Sequence, residues 1–402
     1  MQHSLHLVAT ILIAACLSGA ARADAGFDAW VRDFWPVAQA EGISRTTYES
    51  AFRGVSPDPE VLEKARYQAE FVKPLWEYLA SAASEKRVAN GREMLAQYRP
   101  ALDRIEQAFG VDRHILVAIW GMESSYGEAL TNPKIVRGVI RSLATLAYAD
   151  PRRGKFGRQQ LIATLRILER GDISLAGLTG SWAGAMGHTQ FIPTTYQAYA
   201  VDFDGDGRRN VWTSPVDALA SAANYLRESG WLAGKTWGYE VVLPQKFDYR
   251  ITDDDTARPL AEWARLGVVR ARGEGFPRPD DKAVLLAPAG ARGPAFLLLR
   301  NHFVIKRYNN ATAYAIGVGH LADRLRGGDA FVQAWPSSDR PLNTAELAEL
   351  QEHLARVGLY EGSIDGKIGP RSRAAIRAFQ SGRGMVADGF AGLQLLETLR
   401  SG

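Results

Sequence analysis

Apolar residues recur at three- and four-residue spacing through Pro59 to Ala82, Pro100 to Phe109, Gln159 to Arg170 and Val216 to Glu228. That is the period of helices with one buried stripe. Several of these stretches carry Gly or Pro near an end, and Pro74 inside the first predicts a kink there. Continuous apolar or β-branched runs are short and few: Glu240 to Leu243, Lys282 to Leu286 and Ala295 to Leu299. They suffice for a small sheet flanking a helical body, so the pattern predicts a mainly α, α+β architecture. Asp329 to Leu342, interrupted by Pro336 and Pro341, reads as a linker. Beyond it, residues 343–402 read as a compact unit of three helices. One is amphipathic from Leu347 and stopped by Gly358, and another runs from Pro370 to Gln380. Between them lies an Asp365-Gly366 turn, and Asp388-Gly389 repeats it.

One polar residue breaks the stripe pattern. Glu123 falls four residues after Ile119 and seven after Leu116, on the apolar face of the helix predicted from His114. Burial disfavours the ionised form and raises a carboxyl's pKa, which readies it to carry a proton at neutral pH. A structural Glu paired with a core Arg accounts for the same position. Further along, Gly180 to Pro193 alternates small glycines with polar and aromatic groups at no regular period, which suits a loop lining a cleft. Ser181 and Gln190 can hydrogen-bond a ligand there, and Trp182 or Phe191 can offer it a flat apolar surface. Hydroxylated rings fit such a lining.

Length and composition agree. A chain of 402 residues favours a large domain plus a small one, and 46% hydrophobic with 23% charged residues excludes a disordered or membrane-spanning class. The net charge of +4 suits a polyanionic polymer, while the lack of a clustered Lys/Arg run argues against nucleic acid.

The Glu123-Ser-Ser-Tyr-Gly127 segment resembles the lytic transglycosylase B family of bacterial cell-wall enzymes. The resemblance extends to Ser181-Trp-Ala-Gly-Ala-Met-Gly-x-x-Gln190-Phe-x-Pro193, to the acidic loop after Val201 and to Tyr308-Asn309-Asn-Ala-Thr-Ala-Tyr314, a span from about residue 30 to 325. The C-terminal pattern is similar to the small peptidoglycan-binding domain appended to many wall enzymes. Together they imply a lysozyme-like helical catalytic domain over 24–328, a linker over 329–342 and a peptidoglycan-binding domain over 343–402. They also imply peptidoglycan glycan strands as the partner and a monomer that needs no cofactor for its chemistry. Glu123 is then catalytic, Ser181 and Gln190 bind the N-acetyl or sugar groups, and Tyr225, Tyr308, Asn309 and Tyr314 line the cleft. Arg152 and Arg153 contact peptide or lactyl carboxylates, for which a guanidinium fork is suited, and Tyr78 joins the set. Half-buried packing explains each tyrosine equally, and a solvated turn after Pro151 explains the arginines.

The acidic loop has carboxylates at alternate positions, Asp202, Asp204 and Asp206, with Gly207 in the sixth place, as an EF-hand calcium loop requires. Its twelfth position is Thr213 instead of Glu. In the resembled family a later Asp closes a lengthened loop, and Asp217 serves here if residues 210–216 loop outward. The ligand set of a structural calcium clip is then Asp202, Asp204, Asp206, Arg208 and Asp217, with a solvated Asp/Gly turn as the alternative.

Ordinary glycoside hydrolysis uses two carboxylates flanking the bond. Only Glu123 is a good candidate, since Glu128 points away if the helix continues. The resemblance implies that none other is needed: Glu123 protonates the glycosidic oxygen, then takes the proton of the muramyl C6 hydroxyl, which attacks C1 and leaves a 1,6-anhydro end. Water is excluded, so a dry site helps. A muramidase that hydrolyses the same bond, and a wall-binding protein without catalysis, stay as alternatives.

At the N-terminus, an apolar stretch from Leu5 to about Ala20 is too short and too early to span a membrane, and Ala21-Arg22-Ala23 offers a small-x-small cleavage site. Residues 1–23 read as an export signal, although the first six carry no Lys or Arg, and the mature protein is expected in the periplasm. The single cysteine, Cys16, follows Ile13-Ala14-Ala15, which resembles a lipoprotein processing box. Acylation there would tether the protein to a membrane as an outer-membrane lipoprotein. Cleavage after Ala23 is favoured, because Leu17 to Ala23 continues the signal, and the mature chain then has no cysteine for a disulfide.

Overall fold

Seventeen helices and seven short strands form among the described residues, 25–66, 74–253 and 256–402 of a computed structural model. The predicted export signal and Cys16 lie outside them. Helix α1 (Ala25–Ala40) buries Phe27, Phe34 and Ala38, and α2 (Arg45–Phe52) starts where the Ser44 hydroxyl accepts the Thr47 N–H at 3.2 Å. The single kinked helix expected from Pro59 to Ala82 is instead α3 (Pro59–Arg66) and α4 (Leu75–Ala82), with residues 67–73 outside the described part. Pro74 has no N–H to give to a preceding turn and stands as the N-cap of α4.

Next come α5 (Glu85–Gln97), α6 (Arg99–Phe109) and α7 (Arg113–Ser124), the last started by Asp112, whose carboxylate accepts the His114 N–H at 2.8 Å. Strand β1 (Arg137–Gly138) leads into α8 (Val139–Ala149) and α9 (Gly154–Arg170), and pairs antiparallel with β2 (Thr179–Gly180). Helices α10 (Pro193–Tyr199) and α11 (Pro215–Glu228) follow, both with Pro in the first turn, where its missing N–H costs nothing.

The sheet comprises β3 (Gly238–Val242), β4 (Arg258–Pro259), β5 (Val269–Arg270), β6 (Lys282–Leu286) and β7 (Ala295–Leu298), with α12 (Leu260–Arg265) between β4 and β5. It is antiparallel, in the order β4-β6-β7-β3-β5. The apolar runs thus form β3, β6 and β7, while the two-residue edge strands carry too little pattern to be seen. Strand β7 is buried throughout because alternate residues serve two cores: Phe296 and Leu298 face the helical body, Ala295 and Leu297 a smaller cluster with Trp263.

Helices α13 (Arg300–Tyr308) and α14 (Thr312–Leu325) return to the helical body. That body holds two apolar clusters. One gathers α4 to α7, α11, α13 and α14, and the other α1 to α3 with α8 to α10. Leu116, Ile119 and Trp120 of α7 are buried in the first, each contributing about 2 kcal/mol by transfer from water. Tyr225 and Tyr308 pack against both clusters and mark the seam between them.

The C-terminal unit consists of α15 (Thr344–Arg356), α16 (Pro370–Gly382) and α17 (Leu393–Arg400) around its own core. Its repeated Asp-Gly turns have a common cause. Buried Gln351 accepts the N–H groups of Asp365 and Gly366 at 3.0 and 2.9 Å and donates to the Asp365 carboxylate. Gln380 likewise accepts the Gly389 N–H and donates to Asp388. The segment 329–342 before this unit is a packed strap. Phe331 stacks on His320 at 3.8 Å, the Val332 and Gln333 N–H groups donate to the Glu240 carboxylate, and fully buried Asp339 pairs with Arg292.

Candidate active site

Helix α7 delivers Glu123 to the seam and then stops abruptly. Ser125, Tyr126 and Gly127 follow in the left-handed region, at φ 50°, 61° and 93°. For the two non-glycine residues this is strained backbone. The Tyr126 ring offsets the strain by packing over Gly121 and Gly91, with its hydroxyl donating to the Arg87 carbonyl at 2.8 Å.

Glu123 is half-buried and lines a cleft of about 350 Å³ together with Ser181, Gln190, Leu130, Ile135 and Trp212. The Tyr314 hydroxyl donates to its Oε1 at 2.6 Å. Its partner is therefore a phenol and not a core arginine. Burial pushes the carboxyl up to about 7, against the opposing pull of the Tyr314 hydrogen bond. Tyr314 itself is held well above its ordinary range by burial and by Glu123, so it stays protonated and donates. Among the described residues that line the cleft, Glu123 is the single carboxylate. Glu128 is exposed on the following turn.

The opposite wall is the glycine-rich loop. Ser181 Oγ accepts the N–H groups of Ala183 and Ala185 at 3.3 and 3.0 Å, which orients its hydroxyl while leaving the proton free to donate. Gln190 sits at φ 52° and donates Nε2 to the Gly187 carbonyl at 2.9 Å, so its side-chain oxygen is turned over to a ligand's donors. Gly187 has φ 67°, and a Cβ there would lie 2.2 Å from the Val211 carbonyl oxygen, so no other residue fits.

The other predicted residues occupy two further layers. Tyr308 donates to the Thr189 carbonyl at 2.5 Å and lies parallel to Tyr314, 6.5 Å between centroids. Tyr78 stands close enough to Glu123 for the carboxylate to help hold its phenol proton, after the larger effect of burial. Tyr225 spends its hydroxyl on the Arg307 carbonyl and packs edge-on to Tyr199 and Tyr308, one layer behind the cleft. Asn309 is exposed at the end of α13. Arg152 reaches back to the Ala65 carbonyl at 3.2 Å, and Arg153 lies over the Trp182 ring at 4.9 Å. Both arginines also anchor their N–H groups on Asp150, the turn expected after Pro151.

In the acidic loop, carboxylate oxygens of Asp202, Asp204, Asp206 and Asp217 lie within 4.8 Å of one another. Residues 210–216 do not loop outward as expected: Val211 and Trp212 are buried, held by the His188 N–H and the Thr179 carbonyl, and Pro215 already opens α11, whose first turn brings in Asp217. Its two oxygens accept the N–H groups of Phe203, Asp204 and Asn210, so Asp217 shapes the loop in its own right. Burial raises its carboxyl. Arg208 gives its N–H to Asp206 at 2.8 Å. Hard carboxylate oxygens converging on a turn fit a calcium ion.

Residues 26–323 match the transglycosylase SLT domain, well over half of the chain. The chain belongs to the transglycosylase SLT family, the lytic transglycosylases of peptidoglycan. Residues 343–399 match a putative peptidoglycan binding domain. The membrane-bound lytic murein transglycosylase B of Escherichia coli K12 is 33% identical over 265 residues, which cover 65% of this chain and 66% of that relative. SltB3 from Pseudomonas aeruginosa, in complex with NAG-anhNAM-pentapeptide, superposes with a TM-score of 0.85 at 49% identity, covering 93% of this transglycosylase and 99% of that chain. The Escherichia coli lytic transglycosylase Slt35, in complex with calcium, gives 0.61 at 27% identity over 75% and 93% of the two chains.

Sequence reasoning singled out Glu123 and the loop that faces it across the cleft, but not the residues that hold them together. Trp120, Ser124 and His188 carry no spacing signal linking them. The one available cue was His188 between Gly187 and Gln190, inside a motif already singled out.

Proposed function

We propose that this transglycosylase cleaves the MurNAc-GlcNAc β-1,4 bond of peptidoglycan without water, with Glu123 as acid and then base. The carrying observation is a carboxyl raised to about 7 in a cleft whose described lining holds no second carboxylate. Protonated Glu123 gives its proton to the departing glycosidic oxygen. As a carboxylate, steadied by the Tyr314 hydroxyl, it then takes the proton of the C6 hydroxyl as that oxygen bonds to C1. A 1,6-anhydromuramyl end and a free 4-hydroxyl result. The anhydro-sugar ligand of the 49% identical relative supports this outcome over hydrolysis. Ser181 and Gln190 hold the sugar, and the layer of Tyr78, Tyr308 and Tyr314 keeps the carboxyl dry; Tyr225 and Asn309 support that wall, and Arg152 and Arg153 lie beyond it toward a peptide stem.

We divide the chain into a signal at 1–23, a catalytic domain at 24–328, the strap at 329–342 and a wall-binding unit at 343–402, supported by matches over 26–323 and 343–399. The protein acts outside the cytoplasm, in the periplasm after cleavage behind Ala23, as a monomer on glycan strands. A structural calcium ion fits Asp202, Asp204, Asp206 and Asp217, with Arg208 within the loop. Mass spectrometry of fragments released from purified sacculi tests the activity. Anhydro ends are expected; reducing ends would make the protein a muramidase, and no release would leave a wall-binding protein.

A further inference from the structure

The helix that carries Glu123 and the loop that carries Gln190 meet at one side chain. His188 Nδ1 accepts the indole N–H of fully buried Trp120, from α7, at 3.1 Å. The His188 carbonyl accepts the hydroxyl of buried Ser124, the residue next to Glu123, at 2.7 Å, and that same hydroxyl oxygen accepts the Gly127 N–H at 3.1 Å. Gly127 is pressed so closely against the imidazole that a Cβ would lie 2.6 Å from its Cε1. On the loop side, the His188 N–H donates to Val211 at 2.9 Å, and the next carbonyl, of Thr189, receives the Tyr308 hydroxyl. Tyr308 lies parallel to Tyr314, which returns to Glu123. The contacts form a closed circuit: Glu123, Ser124, His188, Thr189, Tyr308, Tyr314.

We propose that His188 is a positioning residue for the reaction. Its ring and carbonyl clasp α7 to the cleft loop, which sets the Glu123 carboxyl opposite Gln190 and seals the strained turn behind it against water. The assignment rests on the reading of Glu123 as acid and base. Because Nδ1 accepts from Trp120, the neutral ring keeps its proton on Nε2, a state its burial favours. The titratable groups facing Glu123 are Tyr78 from α4, Tyr308 from the end of α13 and Tyr314 from α14, all protonated phenols, so loosening the clasp acts on Glu123 through hydration alone.

The test compares His188→Phe, which keeps a ring but leaves the Trp120 N–H without an acceptor, with His188→Asn, whose side-chain oxygen stands where Nδ1 does. Ser124→Ala removes the second half of the clasp and serves if the Phe variant folds poorly. Turnover of purified glycan strands is measured from pH 5 to 9 beside thermal melting. His188→Phe and Ser124→Ala are expected to lose roughly tenfold in kcat at little-changed KM, through misplacement of the acid. Their alkaline limb should move down by about one pH unit as water reaches Glu123. His188→Asn should restore both. A rise in KM at unchanged kcat, or an alkaline limb that stays in place while the melting temperature falls, would overturn the assignment. Glu123→Gln is assayed alongside: full turnover in that variant sinks the acid-base reading itself, whereas failure of the clasp variants alone leaves it standing.

Discussion

The hydroxyl of Tyr314 donates to Glu123 Oε1 at 2.6 Å across 191 residues of sequence. That bond opposes burial, because a donor stabilises the carboxylate. Tyr314→Phe should therefore raise the Glu123 pKa further, shift the alkaline limb of kcat/KM upward, and slow turnover about tenfold by weakening the acid of the first step, whose carboxylate loses its donor. A pH profile identical to wild type would show that the phenol only fills space.

In the proposed reaction Glu123 starts protonated. Turnover is expected to fall as the pH rises through about 7, the value to which burial lifts this carboxyl. Glu123→Gln should cost at least about a thousandfold, since one group serves both proton transfers. Release of muropeptides followed by mass spectrometry measures this, and wild-type rates in the variant would refute the role.

The same shift has a stability consequence. The folded-state pKa lies above the unfolded one, so folding favours the protonated form. Its contribution is complete below the unfolded value and is lost as the pH rises from there through about 7. Glu123→Gln should accordingly be more stable than wild type at pH 8 by about 1 to 3 kcal/mol, and little different at pH 4. Urea melts at the two pH values check it. Equal differences at both would mean that the carboxyl is hydrated.

Calcium should raise the melting temperature and a chelator should lower it. At a hundredfold excess over Kd the ion would add about 2.7 kcal/mol. Asp206→Asn should weaken the response, because the Asp206 carboxylate faces the cluster and, among the described residues, accepts just the Arg208 N–H of the loop. Asp217→Ala should destabilise the protein even in chelator, since three N–H groups lose their acceptor. A melting temperature indifferent to calcium in scanning calorimetry would leave the loop as a turn alone.

Arg292 holds the strap through Asp339, which is fully buried. Arg292→Ala leaves that carboxylate with the Gln394 N–H and less compensation, at a cost of about 3 kcal/mol to docking of the C-terminal unit. Limited proteolysis should cut faster within 329–342. Cleavage at the wild-type rate would argue that the stacking of Phe331 on His320 and the packing of Trp335 against Trp76 and Phe296 suffice.

Periodicity alone determined much of this protein: a helical body, the strands at 240, 282 and 295, the C-terminal three-helix unit and the anomaly of Glu123, because local burial repeats at the pitch of the element that creates it. The edge strands β4 and β5 are two residues each and repeat nothing, so no pattern could announce them. The segment 329–342 reads as a linker because prolines interrupt its pattern, yet Phe331, Trp335 and Asp339 find partners far away in the chain. Only the tertiary structure decided which polar residue meets which. Glu123 needed α14 to supply Tyr314, Asp217 needed the loop 202–208 to fold back on α11, and Trp120 needed His188 from 68 residues away. Such contacts depend on where elements cross, a property of packed surfaces that the order of residues along one element does not carry.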